Sequence, residues 1–260
     1  MNILKLFIAS LSAIFLTLSI WTLSYQYNCI MIIFPIIFLI TISLSFIELK
    51  TRERICFKNC YFISNSLFAR MLSSKFLIIL FYILTSFIMT ISALYGVIEY
   101  SKEIWMYLIL HIGVTTILYK YLFVIFSKTL KEDYRALFAR EWTINITALI
   151  MIVSYIYFSM NSFEPSYLRV TLEETLKVAS NSINSNCTII NYFLKLQKEI
   201  DSISWWFIDK GTENIQDRTY NIGIWIGFLF INSFAILGVN RFIAQVIYLI
   251  DKIFKSKDMT

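Results

Sequence analysis

FLIILFYILTSFIMTISALYGVI, residues 76–98, runs for 23 positions without a charged side chain. A helix of about 20 such residues crosses the roughly 30 Å hydrocarbon layer of a bilayer. Within that layer a lone segment satisfies its own N–H and C=O groups only as a helix. The stretch therefore predicts a transmembrane helix, and its neighbours repeat the pattern. On the C-terminal side lie 104–126, 142–160 and 222–239. On the N-terminal side lie 3–25 and 30–47, separated by a turn short enough to make them a hairpin, with Pro35 placed to kink the second. Segment 3–25 begins like a secretion signal, with Lys5 near its start. It is read as a retained helix because it is long and lacks a small-x-small cleavage site.

The whole composition agrees. Of 260 residues, 58% are hydrophobic and 15% charged, against about half and about a quarter in ordinary soluble domains; mean hydropathy is +0.69. The expected fold is an all-α polytopic integral membrane protein with about six transmembrane helices. It divides into 1–160 (five helices and two basic loops), 161–221 (a polar region) and 222–260 (the sixth helix and an amphipathic tail).

The net charge of +6 is concentrated in short connections. Lys50, Arg52, Arg54, Lys58, Arg70 and Lys75 follow the second segment. Lys128, Lys131, Arg135 and Arg140 follow the fourth, and Lys252, Lys255 and Lys257 close the tail. Positive charge in short loops marks the cytoplasmic side. Both termini are therefore expected in the cytoplasm and 161–221 outside, with a bacterial cytoplasmic (inner) membrane as the setting. Basic residues in such loops contact lipid headgroups rather than nucleic acid. The stretch around Leu130, Tyr134, Leu137 and Phe138 reads as an amphipathic helix on the headgroups. Lys128, Lys131, Arg135 and Arg140 on its other face are candidates for headgroup contact or for docking a soluble cytoplasmic partner.

The outer region predicts a helical hairpin. Leu168, Leu172, Leu176 and Ala179 recur at helical spacing behind a Thr171/Glu174 capping pair. After the turn-forming 180–186, Ile189, Phe193, Leu196, Ile200, Ile203 and Phe207 repeat every four and three residues. Such a stripe is expected to face the partner helix. Trp205, Trp206 and Phe207 are placed to mark the return to the membrane interface. Cys29 and Cys187 fall on this outer side, where a disulfide persists. The default reading leaves them unbridged, since a cysteine commonly serves as a small hydrophobe. Cys56 and Cys60, four apart, do not complete a tetrahedral metal site.

Catalytic signatures are missing. One histidine excludes the two-histidine zinc-protease helix, and no Gly-x-Ser-x-Gly elbow or phosphate-cradling glycine loop occurs. No Asp or Glu lies inside the six segments, which argues against proton-coupled transport and intramembrane aspartyl chemistry. Two prolines and six glycines leave little means of breaking helices around a substrate. No enzyme activity, cofactor or metal is expected.

What remains are polar stripes. Tyr82, Ser86 and Thr90 share a face of the third segment, and His111, Thr115 and Tyr119 a face of the fourth. They predict either interhelical hydrogen bonding or a water-lined path gated by the histidine. Lys120, near the inner end, is expected to snorkel. Gly223, Gly227, Gly238 and Asn232 predict that the sixth helix is a packing centre. The first functional expectation is an oligomeric, channel-like or membrane-permeabilising component that assembles as a homo-oligomer. The second is a non-catalytic anchor or sensor subunit of a multiprotein system, with defence or immunity as one setting. A transporter or intramembrane enzyme comes last.

Overall fold

The structure, a computed structural model, describes residues 2–61, 74–161, 165–214 and 218–257. Among them are eight α-helices: α1 Ile3–Ser24, α2 Ile33–Tyr61, α3 Lys75–Ile98, α4 Lys102–Phe126, α5 Glu132–Asn161, α6 Leu172–Ser182, α7 Thr188–Asn214 and α8 Arg218–Lys257. A 3-10 turn, Cys29–Ile32, leads into α2. The expected kink at Pro35 does not arise from its missing donor. Pro35 is the third residue of α2, where a backbone N–H has no intrahelical acceptor in any case. Polar residues start the helices: the Asn2 side chain accepts from the Leu4 N–H at 3.3 Å, and the Thr171 hydroxyl from that of Glu174 at 3.3 Å.

Six stretches are long and apolar enough to cross a membrane: Ile3–Ser24, Cys29–Arg54, Lys75–Ile98, Lys102–Phe126, Glu132–Tyr157 and Asn232–Lys255. The protein is a helical membrane protein. Its outward faces are apolar: Leu23, Ile30, Phe76, Met106 and Leu149 are each more than half exposed. An apolar rind of this extent is stable against lipid and not against water.

The centre of the bundle is α8, which packs against α1, α2, α3, α4, α5 and α7. Its tightest approach is at Gly238, where an added Cβ would lie 2.6 Å from the Met89 carbonyl oxygen and 3.0 Å from the Ala93 Cβ of α3. Gly223 and Gly227 have nothing within 4 Å of such a Cβ among the described residues, so the Gly-x-x-x-Gly pair is not the close approach that Gly238 is. Further down, Phe38 stacks on Phe242 at 3.8 Å, and the Trp21 indole donates to the Leu94 carbonyl at 3.0 Å.

Two readings of the sequence need correction here. The sixth span was placed at 222–239 with a tail beyond it. Instead α8 continues unbroken, and 240–251 is the most enclosed part of the molecule: Asn240, Arg241, Gln245 and Asp251 are all buried. The pattern is amphipathic, but its polar face points into the bundle. Second, most of the apolar stripe of α7 does not pack inward, although Phe193 meets Phe87 of α3 edge-on at 5.4 Å and Ile203 is half-buried. Ile189, Leu196, Ile200 and Phe207 are exposed, while Ile190, Leu194, Lys198, Ser202 and Trp205 form the buried face. In both cases the buried polar side chains face groups that pair with them: Lys198 meets Glu99, Asp201 meets Tyr95 and Tyr167, and Arg241 meets Glu141.

Helices α6 and α7 pack together as a hairpin, and α7 also packs on α3 and α8. A Cys29–Cys187 disulfide, with Cα atoms 4.7 Å apart, joins the start of α7 to the 3-10 turn, contrary to the unbridged default. The Ser185 hydroxyl donates to the Tyr25 carbonyl at 2.6 Å, and the Asn186 N–H to that of Gln26 at 3.0 Å. The bundle therefore has a disulfide end and, at the far end of α8, a charged end. The side chains of Cys56 and Cys60, and all of 62–73, lie outside the described residues.

Candidate functional site

Four polar clusters are arranged along α8. In mid-bundle, Asn240 donates from Nδ2 to the Ile144 carbonyl at 2.9 Å. Its Oδ1 accepts from the Thr147 hydroxyl at 2.9 Å and stands 3.0 Å from His111 Nε2. With the amide nitrogen committed to Ile144, the His111 Nε2 must carry the hydrogen in this bond. His111 is thus held by α8 and α5 in a closed hydrogen-bonded junction.

One turn further, α8 meets a buried ion cluster. The guanidinium of Arg140, with no exposed surface, donates to the Ser45 carbonyl at 2.7 Å, Gln245 at 2.9 Å, and Glu48 and Glu141 each at 3.1 Å. Arg241 donates to the Ser45 hydroxyl at 2.9 Å and to Glu141 at 3.2 Å, and lies 3.7 Å from the centre of the Phe46 ring. The Tyr248 hydroxyl donates to Glu48 at 3.1 Å. Arg140 is therefore not a docking residue; it is the middle of a junction of α2, α5 and α8. At the charged end, buried Asp251 accepts from Lys120, from Tyr119 at 3.2 Å and from Lys255 at 2.9 Å. Lys120 does not snorkel free. Asp251 is a buried acid within the candidate span Asn232–Lys255, which the shorter reading of α8 left out.

The two predicted polar stripes are not brought together. Helix α8 packs on both α3 and α4. Of the α4 stripe, His111 meets Asn240, Tyr119 meets Asp251, and Thr115 donates back to the His111 carbonyl at 2.7 Å. Of the α3 stripe, Tyr82 stacks on Phe46 at 5.1 Å. Ser86 and Thr90 are buried without a partner for their hydroxyls, Thr90 beside a small apolar cleft of about 180 Å³. The joint lining expected of the third and fourth helices is not assembled by these contacts: each stripe makes its own described contacts, to α8 from α4 and to α2 from α3. Lys128 and Lys131 remain exposed, while Arg135 donates to the Leu130 carbonyl at 2.9 Å. Asn232 of the packing set donates to the Phe228 carbonyl at 3.0 Å.

The fourth cluster, at the disulfide end, surrounds a cavity of about 490 Å³ between α3, α4, α5, α7 and α8. This is within the range of small-molecule sites. Tyr95, Tyr100, Tyr107, Tyr155, Tyr167 and Trp205 form its aromatic walls, and Glu99, Glu103 and Asp201 contribute carboxyls. The α8 wall is Asn232, Ala235 and Ile236. Asp201 Oδ2 accepts from Tyr95 at 3.0 Å and Tyr167 at 2.9 Å. Burial raises the carboxyl pKa of Asp201 above its ordinary value, with the two phenol donors opposing the shift. Burial likewise pushes the Tyr100 and Tyr167 phenols above theirs, so both stay neutral. Lys198 pairs with Glu99 at 2.9 Å. The floor residue Tyr107 lies 5.8 Å, ring to ring, from His111 one turn along α4, so the cavity abuts the mid-bundle junction.

Sequence reasoning missed this cavity because its aromatic residues come from four helices and two connections and share no spacing. Asn240, Arg241, Gln245 and Asp251 did carry a signal: polar residues at helical spacing directly after an apolar run. Among the described residues no group of three or more His, Cys, Asp or Glu side chains is placed to hold a metal. The chain matches no protein-family model, no curated protein and no solved structure.

Proposed function

We propose that the chain is a non-catalytic membrane subunit of the sensing kind, which receives a small molecule in the tyrosine-lined cavity and registers it through α8. The carrying observation is the continuity of that helix. It walls the cavity with Asn232, Ala235 and Ile236 and carries, on the same rigid element, the side chains that close the three other junctions. A shift of α8 on occupancy has a direct readout at the charged end.

The orientation in this reading places the disulfide end outside and both termini in the cytoplasm. Basic short loops support it, and so does the chemistry of a bond that persists in oxidising surroundings. Exposed Lys128 and Lys131 then face cytoplasmic headgroups or a soluble partner.

Ion flux through liposomes holding the purified chain, scanned over pH 5–8, where an unperturbed histidine titrates, separates this reading from the channel. The expected result is flux no greater than in protein-free vesicles. Flux that the combined His111→Leu and Ser86→Leu substitutions remove would restore a pore and overturn the sensing subunit.

A further inference from the structure

Resting on that reading of the cavity as a ligand site, we propose that it takes an organic ammonium ion. The walls have the composition that recognises one. A cation over the face of Tyr or Trp is drawn to the ring quadrupole, most strongly where water is excluded. The five tyrosines and Trp205 supply the rings.

One such group of the chain's own already sits behind these walls, outside the lining itself. The Lys198 ammonium sits 4.6 Å from the centre of the Tyr167 ring and 5.7 Å from that of Tyr95, and is nearly fully buried. Its charge is answered by Glu99. The lining itself carries three carboxyls, Glu99, Glu103 and Asp201, and no cationic side chain, which disfavours an anion. Glu103, exposed at the rim beside Ser101, places negative charge where a cation enters and steers it.

Size and geometry point to an organic rather than an inorganic cation. A hard metal ion needs several oxygens converging at about 2.0–2.6 Å. Here the carboxyls are not so gathered, and the volume is that of a molecule of several heavy atoms. The ammonium has two sources, a free small amine or a lipid headgroup.

The test uses the full chain in nanodiscs of phosphatidylglycerol, which lacks an ammonium, titrated calorimetrically with choline and with 3,3-dimethylbutanol, its neutral isostere. Choline is expected to bind saturably and about tenfold or more tighter than the isostere. Glu103→Gln, an exposed position that leaves the fold intact, weakens choline by about three- to tenfold without affecting the isostere. Tyr155→Leu weakens it by about three- to thirtyfold.

Repeating the titration in phosphatidylcholine discs identifies the source. Loss of choline affinity there means that the headgroup occupies the cavity, and unchanged affinity means a free amine. Equal binding of choline and the isostere would overturn the ammonium assignment and leave the ligand site standing. Binding of neither in either disc would overturn both.

Discussion

Arg140→Met tests the central claim about the bundle, that its charge lies inside. The side chain is fully buried and makes four hydrogen bonds, two of them to carboxylates. Methionine matches much of its length but leaves Glu48 with Tyr248 as its described partner, and removes the Arg140 bonds to the Gln245 oxygen and the Ser45 carbonyl, which keeps its place in the α2 ladder. Breaking a buried ion pair from one side costs about 3–5 kcal/mol. The upper part of that range is tempered because Glu48 is 27% exposed and Glu141 retains Arg241. For a chain of this size the loss corresponds to a melting temperature lower by roughly 6–20 °C, read by fluorescence or light scattering of the protein in nanodiscs. Adding Glu48→Gln removes the stranded charge and recovers about half of the loss, which a double-mutant cycle resolves. A guanidinium facing solvent, as the basic loop first suggested, would make the substitution nearly silent. A melting temperature within about 2 °C of the parent would therefore refute the buried junction.

Three further outcomes follow from the packing. Reduction, or Cys29→Ser with Cys187→Ser, opens a closure spanning 158 residues; on chain-entropy grounds this lowers stability by up to about 5 kcal/mol, and an unchanged non-reducing gel mobility on adding dithiothreitol would show that the bond is not there. Gly238→Ala drives a Cβ into the Met89 carbonyl and costs about 1–3 kcal/mol, whereas Gly223→Ala or Gly227→Ala meets open space and stabilises the helix by about 0.5–1 kcal/mol; equal melting shifts at the three positions would contradict the observed crossing of α3 and α8. Asp201, with its pKa raised by burial, binds its proton more tightly folded than unfolded. Its contribution is therefore fully present below the unfolded value and is lost as pH rises through the folded one. Asp201→Asn keeps an acceptor for Tyr95 and Tyr167, so it should flatten the stability profile above about pH 4 and be the more stable form at neutrality; a profile identical to the parent's would mean the carboxyl is not desolvated.

Helix number was legible because the solvent imposes it. An uncharged run such as 76–98 has no alternative to a membrane helix, and no partner is needed to see it. Facing was not legible, since it depends on what lies across the interface. The alternation of Ile189, Phe193, Leu196 and Ile200 looks the same whether it points at a helix or at lipid. Lys198 and Asp201 decide the matter only once Glu99, Tyr95 and Tyr167 are known to stand opposite. Arg140 was misread for the same reason. One residue in a basic loop looks like the others until Glu48 of a distant helix is seen to meet it. His111 was singled out as the ionisable residue of its helix, and its partner Asn240 lay just beyond the point where the sixth segment was ended.

The position of α8 in chain order constrains how the molecule is made. Ribosomes deliver α1 to α7 first, so Arg140, Glu141, Glu48 and His111 enter the membrane before Asn240, Arg241 and Gln245 exist to meet them. Until then those helices hold ionisable groups with incomplete pairing, a state that invites chaperones or membrane proteases. The arrival of the central helix completes that pairing: it supplies Asn240 to His111, Gln245 to Arg140, Arg241 to Glu141 and Tyr248 to Glu48.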